Sequence, residues 1–249
     1  MHRLTLLRHG ESIWNRDRRF TGWADVELSP HGREQARRAG LLLKAKGFRF
    51  DACFSSQLKR ASETLRIVLD TMGLSGVTPV ERWELNERHY GALEGMSHTE
   101  ARREWGTKQV FAWQRQFAAA PPQLLPGDPR HPRHDPRYAG IPAGELPSGE
   151  SLRDTLARLL PFWDRIVVPE MRAGKEILIV AHGNTLRVLL KHLDRLAEKD
   201  VLALHVPTCE PLVYEVDEGA RPRRRSYLRW RPRLLDRAAR VGRFGGKSS

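Results

Sequence analysis

Two histidines stand in matched settings. His9 follows Arg8 at the end of the short run Leu4–Leu7 and precedes Gly10, and His182 follows the run Ile177–Ala181 and precedes Gly183. Short apolar runs that stop at turn formers read as buried strands, so each His-Gly pair falls where a strand gives way to a loop or a helix. In open α/β sheets that edge binds ligands. Imidazole is a competent nucleophile near neutral pH once its second nitrogen is held by a hydrogen bond, and the guanidinium groups of Arg8 and Arg60 would attract phosphate. The chemistry this suggests is phosphoryl transfer. One histidine is phosphorylated, while the other, with Arg8 and Arg60, stabilises charge on the transferring oxygens, where positioning and electrostatics supply most of the catalysis. Gly10 and Gly183 would let the backbone approach a ligand, and the amides of the next helix can receive an anion. Either histidine alone reads as structural; the pair reads as a site.

The oxygen leaving phosphorus must be protonated, which calls for a general acid. Glu84 and Glu87, in the segment Glu84-Leu85-Asn86-Glu87-Arg88-His89-Tyr90-Gly91, both qualify, and spacing does not choose between them.

The elements that must carry these groups are legible. Strand-like runs at Leu4–Leu7, Ala52–Ser55, Ile177–Ala181 and Leu212–Val216 alternate with helical stretches, which argues for an α/β fold: a three-layer α/β/α sandwich around a mostly parallel sheet. Ser29 followed by Pro30 is a helix start, and the pattern runs through Ala36, Ala39, Leu42 and Leu43 to a stop at Gly47. A second helix begins near Ser56 and turns Leu58, Ala61, Leu65 and Val68 inward, leaving Lys59 and Arg60 in its first turn. Glu150 to Met171 reads as helix bent or divided by Pro161 and Pro169, and Leu186, Leu189, Leu190 and Leu193 mark one more. Residues 118–149 contain eight prolines and read as an irregular excursion over the surface, the kind of long loop that often acts as a lid. His131, His134 and Asp135 within it read as solvated loop residues, not metal ligands.

The net charge of +13 over 249 residues is concentrated at one end: residues 221–249 carry +10, and the other 220 residues about +3. The bulk of the chain is thus not a nucleic-acid-binding polycation. A catalytic domain over 1–230 and a basic tail over 231–249 are expected, the charge run reading as solvated or facing an acidic partner before it reads as an RNA or membrane anchor. Only Cys53 and Cys209 are present, and Arg8 cuts the first apolar run too early for a secretory leader, so a cytoplasmic protein without a membrane span is expected. Cys53 reads as packing, and the seven tryptophans as core and pocket walls.

The motifs Leu-Leu-Arg-His-Gly-Glu-Ser-Ile-Trp-Asn (6–15), Phe-Thr-Gly-Trp-Ala-Asp (20–25), Leu-Lys-Arg-Ala (58–61), Leu-Asn-Glu-Arg-His-Tyr-Gly-Ala-Leu (85–93) and Ala-His-Gly-Asn-Thr-Leu-Arg (181–187) resemble, in order, those of the cofactor-dependent phosphoglycerate mutases of the histidine phosphatase superfamily. The resemblance implies His9 as the phosphorylated nucleophile, Glu87 as proton donor and acceptor, and Arg8, Arg60 and His182 as the phosphate pocket. It implies Ser12, Asn15, Thr21, Gly22, Arg88, Tyr90, Arg115, Gly183 and Asn184 as ligand contacts, and the 118–149 segment as an insertion that helps close the site. It further implies interconversion of 3-phosphoglycerate and 2-phosphoglycerate, priming by 2,3-bisphosphoglycerate without a metal, and a homo-oligomer, dimer or tetramer.

This sequence departs from that pattern at ligand-contacting positions. His98 stands where the mutases usually have Lys, and Gln114 where they have Arg. A hydrogen bond to a charged group is worth roughly 1.5–3 kcal/mol, so each loss would weaken binding about 10- to 100-fold. Gly149-Glu150-Ser151 is also closer to the phosphatase branch. A phosphatase acting on a phosphorylated metabolite with the same residues is therefore the alternative.

Overall fold

Alternation along the strands builds the two faces of one sheet. The computed structural model describes residues 2–230. Its strands are β1 (His2–Arg8), β2 (Ala52–Ser55), β3 (Val80–Glu81), β4 (Ile177–Ala181), β5 (Leu212–Val216) and β6 (Pro222–Tyr227), in the order β3-β2-β4-β1-β5-β6. Pairings β1–β4, β2–β4 and β2–β3 are parallel, and β5 runs antiparallel to both its neighbours. Leu4, Leu6, Phe54, Ile177 and Ile179 point to one face, Leu7, Cys53, Leu178 and Val180 to the other. Each face needs a helical layer to cover it, which gives the expected α/β/α sandwich.

The helices are α1 (Ile13–Arg16), α2 (Pro30–Ala45), α3 (Lys59–Met72), α4 (His98–Trp105), α5 (Thr107–Arg115), α6 (Leu152–Phe162), α7 (Val168–Arg172), α8 (Gly183–Asp194) and α9 (Glu198–Val201). α2 and α3 cover the Cys53 face through Ala36, Ala39, Leu43, Ala61, Leu65 and Val68, while α6 and α8 cover the other through Leu159, Phe162, Leu186 and Leu189. Ser29 caps α2 through Gly32 N–H, with Pro30 in the first turn, and Ser151 caps α6 in a reciprocal box with Asp154. Between α6 and α7 the helix widens into one π-turn, Trp163–Val167. Pro169 has no N–H to continue the ladder, and the wider turn absorbs that gap.

Two strands escaped the sequence reading. β3 is only two residues long, and β6 is Pro-Arg-Arg-Arg-Ser-Tyr, whose arginines lie exposed on an edge strand instead of in a tail. Charged side chains on an edge discourage pairing with another chain. The tail expected over 231–249 lies outside the described residues.

The 118–149 excursion is irregular, as expected, apart from single 3₁₀ turns at Pro132–His134 and Pro136–Tyr138, but it is not simply solvated. Leu124, His131, Tyr138 and Leu146 are buried, and Tyr138 packs on Trp23. Its tethers include Asn86 Nδ2 to Tyr138 Oη (2.9 Å) and Arg137 to Asp25 (2.9 Å). His131 and Asp135 serve as caps for the two turns and His134 meets the Pro126 carbonyl. Among the described residues no helix is long and apolar enough to cross a membrane.

Candidate active site

Strand register places the two histidines side by side. Arg8 pairs with Ala181, the last residues of β1 and β4, and the His9 N–H continues the ladder to the Ala181 carbonyl (3.0 Å). Both imidazoles therefore leave the sheet at one level, with ring centroids 4.9 Å apart. Because β2 flanks β4 on the other side, its end delivers Ser56 and the first turn of α3 with Arg60 to the same place. The segment after β3 brings in Glu87.

The His9 ring is fixed by Nδ1, 2.6 Å from the Gly10 carbonyl oxygen. A carbonyl can only accept, so Nδ1 carries the proton and the Nε2 lone pair is free. His182 Nε2 lies 2.7 Å from Ser56 Oγ, which already accepts the Leu58 N–H. The hydroxyl proton has no other acceptor among the described residues, so it goes to Nε2, and the His182 proton sits on Nδ1, which is buried without a partner among them. Arg8 Nε is a second such orphan donor; its Nη1 donates to the Val206 carbonyl (2.9 Å). Two buried donors without acceptors, beside a free imidazole lone pair, suit the oxygens of a tetrahedral anion.

Electrostatics point the same way. Burial, and then Arg60 and Arg8, hold His9 and His182 well below the usual imidazole range, so both are neutral at neutral pH. Arg60, fully buried, is lowered by desolvation to about 10 and stays charged. Its Nη1 and Nη2 donate to the Ala24 and Gly22 carbonyls (2.9 and 2.7 Å), which clamps the Thr21–Asp25 loop against α3.

The cavity at this edge has a volume of about 150 Å³ and is lined by Arg8, His9, Asn15, Arg19, Phe20, Thr21, Gly22, Arg60, Glu87, Tyr90, His98, Gly183, Asn184 and Arg187. Such a volume suits a phosphoryl group and a small remainder, well short of a drug-sized ligand. A cavity of about 520 Å³ lies under the excursion between Trp14, Trp23 and Tyr138. It contains neither His9 nor Glu87, so the smaller one is the candidate site.

Only one of the two carboxylates lines the cavity. Glu87 lines the cavity, accepting the Arg88 N–H (2.9 Å) and the Asn184 N–H at the start of α8 (3.2 Å). Glu84 is turned away and paired with Arg82. Of the other expected contacts, Asn15, Thr21, Gly22, Tyr90, His98, Gly183 and Asn184 line the cavity, with Asn184 Nδ2 donating to Tyr90 Oη (2.9 Å). Ser12, Arg88, Gln114 and Arg115 do not, and neither does His182, which stands behind the lining beside the His9 ring. Ser12 is the N-cap of α1, bonded reciprocally to Asn15. Arg88 is buried, and its guanidinium donates to the carbonyls of Glu150, Trp113 and Ala119. Gln114 is half-buried and Arg115 exposed near the end of α5. Gly10 also corrects an expectation: a Cβ there would strike the Gly32 backbone, so its missing side chain admits α2, not a ligand. At Gly183 a Cβ would meet the Arg8 guanidinium, which lies over that helix start.

Three lining residues escaped the sequence reading: Arg19, Phe20 and Arg187. Arg187 stands four residues after Gly183, one helical turn on, and donates to Asn184 Oδ1 (3.0 Å) and the Leu204 carbonyl (3.0 Å). Helical spacing was a usable signal for it.

Residues 4–226 match the model of the histidine phosphatase superfamily, branch 1. The chain belongs to that superfamily. Its members are phosphoryl-transfer enzymes, in keeping with the site just described. Among solved structures, the chain is similar to a mycobacterial glucosyl-3-phosphoglycerate phosphatase complexed with VO3 (26% identity, 90% of this chain and 96% of that one, TM-score 0.69). It is similar to the YhfR protein of Bacillus stearothermophilus (26% identity, 90% and 95%, TM-score 0.68). The alpha-ribazole phosphatase of Shigella flexneri shares the fold at 24% identity (91% and 96%, TM-score 0.67). The superfamily half of the motif resemblance is thus established, and the neighbours named for an activity are phosphatases rather than mutases.

Proposed function

We propose that the chain is a histidine-type phosphatase acting on a small phosphorylated metabolite. The observation that carries this reading is the His9 ring, fixed through Nδ1 to the Gly10 carbonyl and lining a cationic cavity with Nε2 free. In the first half-reaction His9 Nε2 attacks phosphorus, the P–O bond to the substrate breaks, and Glu87 gives its proton to the leaving oxygen. Arg8, Arg60 and His182 Nδ1–H stabilise the transferring oxygens. In the second, water attacks the phosphohistidine, the ionised Glu87 takes a proton from it, the N–P bond breaks, and inorganic phosphate leaves. The likeness to phosphatases supports water as acceptor, and so does the position of Gln114 and Arg115 away from the cavity.

Phosphoglycerate mutase is the second reading, favoured by the cations beyond the phosphoryl pocket. Arg19 and Arg187 line the cavity with no carboxylate except Glu87, which suits a second anionic group on the ligand; His98 joins them as a neutral imidazole, lowered by burial and then by Arg102 and Arg18. In that reading 2,3-bisphosphoglycerate primes His9, no metal takes part, and the substrates are 3- and 2-phosphoglycerate, handled by a cytoplasmic homo-oligomer. The test is incubation with 3-phosphoglycerate, with and without the bisphosphate, and with a panel of phosphorylated metabolites. Inorganic phosphate as the dominant product supports the phosphatase. Formation of 2-phosphoglycerate in excess of phosphate overturns it in favour of the mutase.

A further inference from the structure

Among the described residues Glu87 has no side-chain partner to orient it. Its carboxylate is held by the Arg88 and Asn184 amides alone, so its aim depends on how rigidly the backbone of residues 83–87 is fixed. The fixing comes from Arg158, on the opposite side of that segment and outside the catalytic cavity. Arg158 Nη1 donates to the carbonyls of Trp83 (3.2 Å) and Glu84 (2.8 Å), and Nη2 to those of Asn86 (3.2 Å) and Glu87 (3.3 Å). Nε and Nη2 also grip Glu150 in a two-point pair (2.7 and 3.0 Å), with both side chains nearly buried, 5% and 3% exposed. All five guanidinium N–H groups are thereby engaged. The group also packs against Trp23 and Trp83, with Cζ 5.5 and 5.9 Å from their ring centroids, and the two rings meet edge to face 6.3 Å apart. Trp23 adds a hydrogen bond from Nε1 to the Glu87 carbonyl (2.6 Å).

The geometry points to Arg158, assisted by Trp23, as the positioning residue for the proton donor of this enzyme. The inference rests on the reading of Glu87 as that donor. Four carbonyls within residues 83–87 form one row of acceptors on a single guanidinium, and five donors are needed to meet them together with Glu150; a lysine, with three, would supply charge to Glu150 but not the row. Loosening the row lets the carboxylate swing away from the leaving oxygen while the phosphoryl pocket of Arg8, Arg60 and His9 stays formed.

Leaving-group dependence separates this role from mere structural support. A poor leaving group needs protonation in the transition state and a good one does not, so phenyl phosphate and p-nitrophenyl phosphate, of similar shape, form the probe pair. The full-length protein and its Arg158→Lys, Trp23→Phe and Glu87→Gln variants are compared after circular dichroism has verified folding. For Glu87→Gln the ratio of kcat/KM on phenyl phosphate to kcat/KM on p-nitrophenyl phosphate, which reads the step in which the leaving group departs, is expected to fall on the order of tenfold or more, since general acid catalysis contributes roughly 10²–10⁴. Arg158→Lys is expected to lower the ratio in the same direction with KM nearly unchanged, and Trp23→Phe to lower it less. Equal loss on both substrates, or no loss, in Arg158→Lys and Trp23→Phe would overturn the positioning role while Glu87→Gln still lowers the ratio. An unchanged ratio in Glu87→Gln would instead overturn the assignment of Glu87. Trp23→Phe retains the ring and keeps the test decisive if Arg158→Lys does not fold.

Discussion

Removing one hydroxyl, Ser56→Ala, tests the electrostatic design of the site. Ser56 Oγ lies 2.7 Å from His182 Nε2 and accepts the Leu58 N–H at 3.2 Å, all of it buried. The substitution leaves an imidazole nitrogen and an amide without partners, at about 1–3 kcal/mol for each buried group. A loss of about 2–6 kcal/mol in total would lower the midpoint of thermal unfolding by roughly 4–24 °C for a domain of this size. The catalytic effect is separate. Without the hydroxyl nothing holds the His182 proton on Nδ1, and the donor that the proposed mechanism sets against the phosphoryl oxygens is present only part of the time. Complete loss of such a donor costs about 10²–10³ in rate, so a fall in kcat on the order of 10- to 100-fold is expected. KM should change little, because Arg8 and Arg60 still hold the ground-state phosphate. The assay is steady-state hydrolysis of p-nitrophenyl phosphate, run below the variant's unfolding midpoint, alongside thermal unfolding. A lowered midpoint with undiminished kcat would refute the tautomer argument and reduce Ser56 to packing.

Stability should fall in acid from about pH 6.5 downward. His9, His182 and His89 are all held below the ordinary imidazole value, chiefly by burial, with His89 lowered to about 3. The unfolded chain therefore binds more protons there, stability rises with pH, and each imidazole kept neutral costs about 1.4 kcal/mol per pH unit below its unfolded value. His89→Asn, whose Oδ1 can take over the bond from the Gly91 N–H, should reduce the slope of unfolding free energy against pH between pH 6 and pH 4 by about one proton; an unaltered slope would mean that His89 is charged in the fold. Gly22→Ala should destabilise by about 1–3 kcal/mol in urea unfolding, because Gly22 sits at φ +52° and a Cβ would strike the Glu94 carboxylate. By displacing the carbonyl that Arg60 grips, it should also lower turnover; wild-type stability and rate together would show that the loop is not the clamp described.

The fold was legible where one residue type repeated with the period of its element. The runs ending at His9 and His182 read directly as neighbouring strands, and parallel register then leaves no freedom in where the two imidazoles meet. β6 was not legible, because on an exposed edge arginines serve as well as valines, and their charge read as a tail. Much of the candidate site was visible in its side chains, yet the groups that hold it were not. Arg88 looked like a ligand contact and bonds three carbonyls; Arg158 gave no signal and bonds four. Backbone acceptors have no sequence signature, so an arginine that organises a loop cannot be told from one that binds an anion until the chain is folded. Ser56 was hidden for a similar reason: its partner lies 126 positions away and meets it only through the β2–β4 pairing.

The central claim is that His9 carries the phosphoryl group during turnover. Rapid mixing with p-nitrophenyl phosphate, an alkaline quench that preserves phosphohistidine, and peptide mass spectrometry read it directly. The expected result is a phosphorylated peptide containing His9 in the wild type, formed at a rate no slower than turnover, and no labelled histidine in a folded His9→Ala protein. Steady hydrolysis with the His9 peptide unmodified, or with the phosphoryl group on His182, would contradict it.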